Sequence, residues 1–332
     1  MNAIYCRYSL TLLLLLPALL KAQAPAVSGL LPQADTALFN AEPAPRFRAL
    51  IVCGLLGDAE RRKLYAETVE RLYAGLTTHH GVQPENVILL WSDKLPADAG
   101  PALNTNRGPA TRETLTTAVG ELENTVEPSD ALWVFMLGHS HFDGRYSWLN
   151  LPGPDMQHVE FGKLFSNIPS REQVFFMTGS VSGFHLKSLA ASNRIVITST
   201  EADLEVNETL FPHHLAKALA EPPPFRELDL DEDGRLSLLD VYLFTCQQVA
   251  AEYAAGMNLA TEHALLDDSG DGRGSEVQAD YLTEELGGRW RTGRPKPVRR
   301  MGDGALARRI LLDYPPSPPS PDDSDGLDAS VK

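Results

Sequence analysis

Runs of consecutive apolar residues recur along the chain, each about as long as one strand. They lie within residues 46–57, 86–91, 132–137, 173–177 and 194–198. Continuous apolar runs are typical of parallel strands that are buried on both faces, whereas a strand with one exposed face alternates apolar and polar residues. The pattern therefore predicts a buried, mainly parallel sheet.

Between these strands lie segments in which apolar residues recur at helical spacing. Predicted helices cover residues 58–78, 111–126, 158–165, 205–220 and 238–254. In the first of them, Tyr65, Val69 and Leu72 fall on one face. Strands that alternate with helices predict an α/β fold whose sheet is covered on both faces. No glycine-rich loop for a pyrophosphate follows the first strand, which disfavours a dinucleotide-binding fold.

Two of the predicted strands end in residues that can carry chemistry. The run 132–137 leads into Gly138, His139, His141 and Asp143, and the run 173–177 leads into a cluster of small residues around Ser180. Functional residues collect just beyond the carboxyl ends of parallel strands. If the two strands are neighbours, His139 and Ser180 lie side by side.

His139, His141 and Asp143 allow three interpretations. His139 is the acid/base partner of a nucleophile at Ser180, or the three residues bind a metal, or the histidines form structural hydrogen bonds in a loop. A metallohydrolase needs further ligands, and no later segment supplies them, which argues against the metal.

The segment 229–240 has the spacing of a twelve-residue EF-hand calcium loop. Gly234 stands where that loop turns sharply, and Leu236 fills its apolar position. The predicted Ca²⁺ ligands are Asp229, Asp231, Asp233, the backbone carbonyl of Arg235, Ser237 and Asp240. Closely spaced carboxylates repel one another unless a cation lies among them, which favours a bound divalent ion. The alternative is an acidic turn without metal.

Two features depart from the common EF-hand pattern. Asp240 takes the closing position usually held by glutamate, which shortens its reach, and prolines 222–224 interrupt the incoming helix. A second acidic loop, 267–275, repeats part of the spacing with Asp267 and Asp271, but its closing position falls on Gln278, a poor ligand. A capped turn is the alternative there.

Charge and composition narrow the set of partners. The chain has 332 residues and a formal net charge of -15, which argues against nucleic acids and anionic membranes as partners. A protein or a peptide is therefore the kind of ligand that the charge still allows. The sequence does not predict an oligomeric state.

The first residues have the pattern of a secretory signal peptide, predicted to cover 1–24. Arg7 precedes an apolar run, 10–20, and an A-x-A-like cleavage site follows. The run is short for a membrane span of about 20 residues, although an uncleaved anchor is the alternative. We therefore expect a secreted or periplasmic protein, without a membrane span once the signal is removed.

Only Cys53 and Cys246 lie beyond the predicted signal peptide. Cys53 falls within the first strand and Cys246 within the last predicted helix. Export permits a disulfide between them, but two buried, unpaired cysteines are the simpler expectation.

The chain resembles the clan of caspase-like and legumain-like (C13) cysteine peptidases, in particular a group of exported bacterial proteins. Similarity within residues 46–220 includes ALIVCGLLG, the strand leading into GHS, and RIVITSTEAD. It continues through FDGRY, NLPGPD and ATEHALLDD to about residue 274. The resemblance implies a caspase-like three-layer α/β/α sandwich with an EF-hand-like loop and helix after it.

By position, the resemblance matches His139 to the catalytic histidine and Ser180 to the nucleophilic cysteine. Ser182 and Gly183 match the S-G that follows the cysteine, whereas Ser140 replaces the glycine after the histidine. A serine hydroxyl requires a closely placed general base, whereas a thiol ionises readily. The resemblance therefore implies a calcium-binding homologue that has lost cysteine-peptidase activity and serves in binding or scaffolding.

The alternative is an active peptidase or hydrolase. Ser180 would then be the nucleophile and His139 the acid/base, with backbone N–H groups of Ser140 and Ser180 binding the oxyanion.

These assignments divide the chain into six parts. They are a signal peptide (1–24), a linker (25–45), the caspase-like α/β domain (46–221), the calcium-binding region (225–285), a C-terminal segment (286–314) and a disordered tail rich in Pro, Ser and Asp (315–332).

Overall fold

The fold is built around a six-stranded central sheet in the computed structural model. The structure describes residues 46–202, 205–286, 288, 302–312 and 314. The predicted signal peptide, linker and tail lie outside these residues. Along the described chain the strands are β1 (Phe47–Cys53), β2 (Val87–Trp91), β3 (Ala131–Leu137), β4 (Ser140–Phe142), β5 (Ser147–Leu149), β6 (Met156–Gln157), β7 (Glu172–Met177), β8 (Arg194–Thr198) and β9 (Leu265–Asp267).

The central sheet has the order β2-β1-β3-β7-β8-β9, and only β9 runs antiparallel to its neighbour. The prediction of a mainly parallel sheet is confirmed. In the register of the inner strands, Ile51 of β1 pairs with Phe135 of β3, and Val134 of β3 pairs with Phe175 of β7. β3 and β7 are therefore neighbours, and their carboxyl ends meet at one edge of the sheet.

Helices pack on both faces of this sheet. They are α1 (Ala59–Thr78), α2 (Arg112–Thr125), α3 (His158–Leu164), α4 (His185–Leu189), α5 (Phe211–Ala220), α6 (Phe225–Leu228) and α7 (Leu238–Ala255). One apolar cluster joins α1, α5 and α7 to one face, and a second joins α2, α3 and α4 to the other. Alternate side chains of each buried strand enter the two clusters, as Ile51 and Val52 of β1 do.

The predicted helix over 205–220 is wrong in its first part, because α5 begins only at Phe211. Pro212 lies in the first turn, where its fixed φ suits the start of a helix. Upstream, the Glu205 carboxylate accepts the backbone N–H of Glu201 and of His263, which holds this stretch in an irregular conformation.

The three strands β4, β5 and β6 form a small antiparallel sheet of order β4-β5-β6, with β5 at Ser147–Leu149. This sheet directly follows Gly138 and His139. Among the described helices, none has the length and hydropathy required to cross a membrane.

Cys53 and Cys246 are both buried and unpaired, as the sequence suggested. Burial raises the pKa of the Cys53 thiol and of the Cys246 thiol. Neither thiol therefore has the low pKa of a reactive cysteine.

Candidate functional site

The loops that follow β3 and β7 are in direct contact, and glycines make this contact possible. Gly138 has a φ of +104°, which favours glycine, and a Cβ there would lie 3.1 Å from the backbone nitrogen of Gly54. A Cβ on Gly179 would lie 2.9 Å from the Gly138 carbonyl oxygen and 2.9 Å from the Ser140 Oγ. Small residues at these positions bring the backbone of His139 and Ser180 together.

Ser180 lies at this contact with its hydroxyl already engaged. The Ser180 Oγ donates a hydrogen bond of 2.8 Å to the backbone carbonyl of Ser140. The residue is 1% exposed, so solvent does not reach this hydroxyl freely. Its proton is therefore directed at a carbonyl rather than at an imidazole.

His139 is fixed through its backbone, while its side chain is exposed. Its N–H donates to the Leu55 carbonyl (3.2 Å), and its own carbonyl accepts from the Asn150 N–H (3.0 Å). Within the described residues, no group forms a hydrogen bond with the imidazole, so the structure does not join His139 to Ser180 in this way. Partial desolvation lowers the pKa of His139, which favours a neutral imidazole near pH 7.

Asp143 and His141 form hydrogen bonds within residues 141–150, around the small sheet, and not with His139. The Asp143 carboxylate accepts hydrogen bonds from the N–H of Arg145, the N–H of Tyr146 and the indole of Trp148. The Nδ1 of His141 lies 2.6 Å from the Asn150 Oδ1. These contacts support the structural interpretation of the two residues.

The residue that follows Ser180 has an unusual backbone conformation. Val181 is buried with a φ of +48° and a ψ of +30°, the left-handed region that a β-branched residue rarely adopts. Its N–H donates to the Glu205 carbonyl oxygen at 3.0 Å. Next along the chain, the Ser182 Oγ lies 2.9 Å from the Thr200 Oγ1, two residues beyond the end of β8. Such a conformation costs free energy and is typical of functional loops.

The sequence did not indicate that a group of charged residues influences His139. The Arg61 guanidinium contacts the carboxylates of Asp58 and Glu208, and Glu208 raises the pKa of His139 while Arg61 lowers it. Arg61 lies on α1 and Glu208 lies before α5. No motif connects these positions along the chain, so only the fold identifies the group.

The acidic loop 229–240 brings three of its predicted ligands together. Carboxylate oxygens of Asp229, Asp231 and Asp233 all lie within 4.8 Å of one another. Within the described residues this is the one such group of acidic, histidine or cysteine ligand atoms. Gly234 has a φ of +79°, as the sharp turn at its loop position requires.

One oxygen of this group is left without a partner. The Asp229 Oδ1 is buried and accepts no hydrogen bond, whereas its Oδ2 accepts the Gly234 N–H at 3.2 Å. Burial, and then the charges of Asp231 and Asp233, raise the pKa of Asp229. A buried carboxylate oxygen without a donor is costly, and a divalent cation among these carboxylates would satisfy it.

The two remaining side-chain ligands that were predicted, Ser237 and Asp240, contact each other. The Asp240 Oδ2 accepts the Ser237 hydroxyl at 2.7 Å and the Ser237 N–H at 2.9 Å, and its Oδ1 accepts the N–H of Leu230 at 3.0 Å. These bonds cap α7, because Ser237 is its N-cap residue. Burial raises the pKa of Asp240 to about 6. The structure thus assembles three of the side-chain ligands and uses the other two in the cap.

No protein-family model matches this chain, and no curated protein matches it.

The second acidic loop has the geometry of a capped turn. The Asp267 Oδ1 accepts hydrogen bonds from the Ser269 N–H and the Gly270 N–H, and its Oδ2 accepts from the Gly272 N–H. The Gln278 amide donates to the Ala264 carbonyl in the core. Gln278 is 6% exposed, so its amide belongs to the core and not to the loop.

Proposed function

We propose that this chain is an exported calcium-binding protein. Its α/β domain is of the caspase-like type and binds a protein or peptide ligand without cleaving it. The convergence of the Asp229, Asp231 and Asp233 carboxylates carries the calcium assignment. The segment 1–24, with the pattern of a signal peptide, supports export.

The residues of the loop fit a hard divalent cation. Asp229, Asp231 and Asp233 would hold the ion through carboxylate oxygens, with the Arg235 carbonyl, Ser237 and Asp240 as the further ligands of the twelve-residue spacing. Bound calcium would offset the mutual repulsion of these carboxylates. It would also satisfy the unpartnered Asp229 Oδ1.

We expect titration calorimetry to show one calcium site with a Kd on the order of 10⁻⁴ to 10⁻³ M, as in extracellular calcium modules. Asp229→Ala and Asp233→Ala remove converging oxygens and should abolish the heat of binding. Asp271→Ala, in the second acidic loop, is the matched control and should leave it unchanged. Equal heats in wild type and both loop variants would refute the assignment.

The hydrogen bonding of the Ser180 hydroxyl supports the loss of peptidase activity. Its hydroxyl donates to the Ser140 carbonyl, and the His139 imidazole forms no hydrogen bond with any described residue. A serine nucleophile requires a general base within about 2.6–3.2 Å. This arrangement favours a binding surface over a catalytic dyad.

A serine hydrolase is the second candidate function, and the Val181 conformation favours it. Strained backbone beside a nucleophile is common in enzymes. A neutral His139 would suit a general base. Closure around a substrate would have to turn the Ser180 hydroxyl away from Ser140.

Peptide turnover distinguishes the two candidates. We expect wild type and Ser180→Ala to show the same background rate across a broad peptide library, because no base is bonded to Ser180. Ser182→Ala, two residues further along, controls for loop damage. Hydrolysis that Ser180→Ala and His139→Ala abolish, but Ser182→Ala retains, would establish the hydrolase instead.

A further inference from the structure

The described residues near the C-terminus, 302–312, link the two acidic loops. At one end, the buried Asp268 carboxylate of the second loop accepts three backbone N–H groups, from Gly304 (3.0 Å), Leu306 (2.7 Å) and Ala307 (2.9 Å). One carboxylate thereby fixes the start of the short helical turn that carries Arg308.

The other end of the segment pairs with the proposed calcium loop. The Leu238 N–H donates to the Ile310 carbonyl at 2.9 Å, and the Leu312 N–H donates to the Leu236 carbonyl at 3.0 Å. Between these bonds, Ser237 and Leu311 form an antiparallel bridge. The segment is therefore held against the loop by backbone bonds, independently of any charge.

Between the two anchors, Arg308 reaches the acidic group itself. Its Nε donates to the Asp231 Oδ2 at 2.5 Å and lies 4.0 Å from the Asp233 Oδ2. Its Nη2 lies 3.5 Å from the Tyr281 hydroxyl. The Arg308 guanidinium thus neutralises part of the charge of Asp231, whereas the guanidinium nearest to Asp233 is that of Arg235, whose Nη2 lies 3.0 Å from the Asp233 Oδ2.

We propose that Arg308 is a built-in counter-ion of the calcium loop, and that calcium must displace it to bind. This inference rests on the proposed function and adds to it a residue that controls the calcium affinity. The Asp231 Oδ2 cannot direct the same lone pairs at the Arg308 guanidinium and at a calcium ion. The positive charges of the guanidinium and of the calcium ion would also repel each other. Because 302–312 carries Arg308, this segment sets the affinity of the loop.

The test compares calcium affinities by titration calorimetry of the full chain. Arg308→Gln removes the charge and is expected to tighten calcium binding about tenfold, since the competing cation is lost. Arg308→Lys keeps the positive charge but lacks the planar guanidinium group. Its calcium affinity should lie between those of wild type and Arg308→Gln. Arg309→Gln is the matched control, because Arg309 is exposed and its side chain contacts no carboxylate among the described residues.

A second measurement follows Arg308 directly. The NMR resonance of its Nε–H, identified by its absence in Arg308→Gln, should move away from its hydrogen-bonded position as calcium is added. Circular dichroism of each variant confirms that it is folded.

The outcomes separate the two proposals. Calcium binding that Asp229→Ala abolishes but Arg308→Gln leaves unchanged or weakens would overturn the counter-ion and retain the calcium site. No binding by wild type or Arg308→Gln would overturn both. Binding that appears only in Arg308→Gln would support the counter-ion in its strongest form.

Discussion

Acidification from about pH 7.5 to about pH 4.5 should remove the stability that the buried, neutral His185 contributes, against an opposite contribution from Asp240 and Glu262, whose pKa burial raises to about 6 and about 7. His185 is fully buried, its Nδ1 lies 3.1 Å from the Ser182 carbonyl oxygen, and its Nε2 has no partner. Burial, and then the charge of His158, lower the pKa of His185 to about 3. The unfolded chain takes up a proton near pH 6.5, whereas the folded chain does not.

The sign of the effect follows from this lowered pKa. Stability from His185 is fully present above about pH 6.5 and is lost as the pH falls towards the folded pKa. Between about pH 6.5 and about pH 4.5 the loss is on the order of 3 kcal/mol, at about 1.4 kcal/mol per pH unit. Burial also lowers the pKa of His80 and of His213 to about 4, which adds to the same trend.

Urea denaturation across this pH range provides the measurement. His185→Gln should flatten the pH dependence, because the buried group no longer titrates. His141→Gln is the control, since that imidazole lies at the surface. A pH dependence that His185→Gln leaves as steep as in wild type would refute the assignment.

Asp130→Ala is expected to cost about 3 kcal/mol in the free energy of unfolding, because it leaves charged partners without their acceptor. The Asp130 carboxylate is 1% exposed and bonds the Arg46 Nη2 at 3.1 Å and the Arg48 Nε at 3.2 Å. It also accepts the backbone N–H of Arg46 and of Glu127. It thus ties the start of β1 to the start of β3.

Denaturant titration compares Asp130→Ala with Glu127→Ala. The Glu127 carboxylate is 59% exposed and lies 3.9 Å from the Arg46 Nη2, so its loss should cost less than about 1 kcal/mol. Equal losses in the two variants would show that the buried acceptor has no special role.

Much of the central sheet could be predicted from local pattern alone. The apolar runs correspond to β1, β2, β3, β7 and β8, because burial on both faces leaves no polar residue in a strand such as β2. The starts of α1 and α2 were also predictable, since Asp58 and Thr111 are ordinary N-cap residues.

Elements that depend on distant partners could not be predicted. β9 has three residues and is a strand only because β8 pairs with it. The late start of α5 reflects the bonds of Glu205 to His263, far away in sequence. Local propensity contains no information about either contact.

For the candidate site, too, the sequence predicted the contacts within one loop but not the contacts between distant segments. Spacing within a single loop predicted the convergence of Asp229, Asp231 and Asp233, because a short loop limits where its side chains can lie. The orientation of the Ser180 hydroxyl depends on the carbonyl of Ser140, which lies 40 residues earlier at the start of β4. The approach of Arg308 depends on the bonds that hold residues 302–312 to both acidic loops, which are distant in sequence.

The antiparallel strand β9 has a practical consequence for dividing this protein into parts. β9 comes from beyond residue 221, yet it pairs with β8 through Val196, Ile197 and Thr198. A recombinant fragment that stops after α5 would leave the backbone N–H and C=O groups along that side of β8 without partners. Such a bare edge is a template for aggregation. Soluble expression of the α/β domain therefore requires the residues that follow it, at least through Asp267.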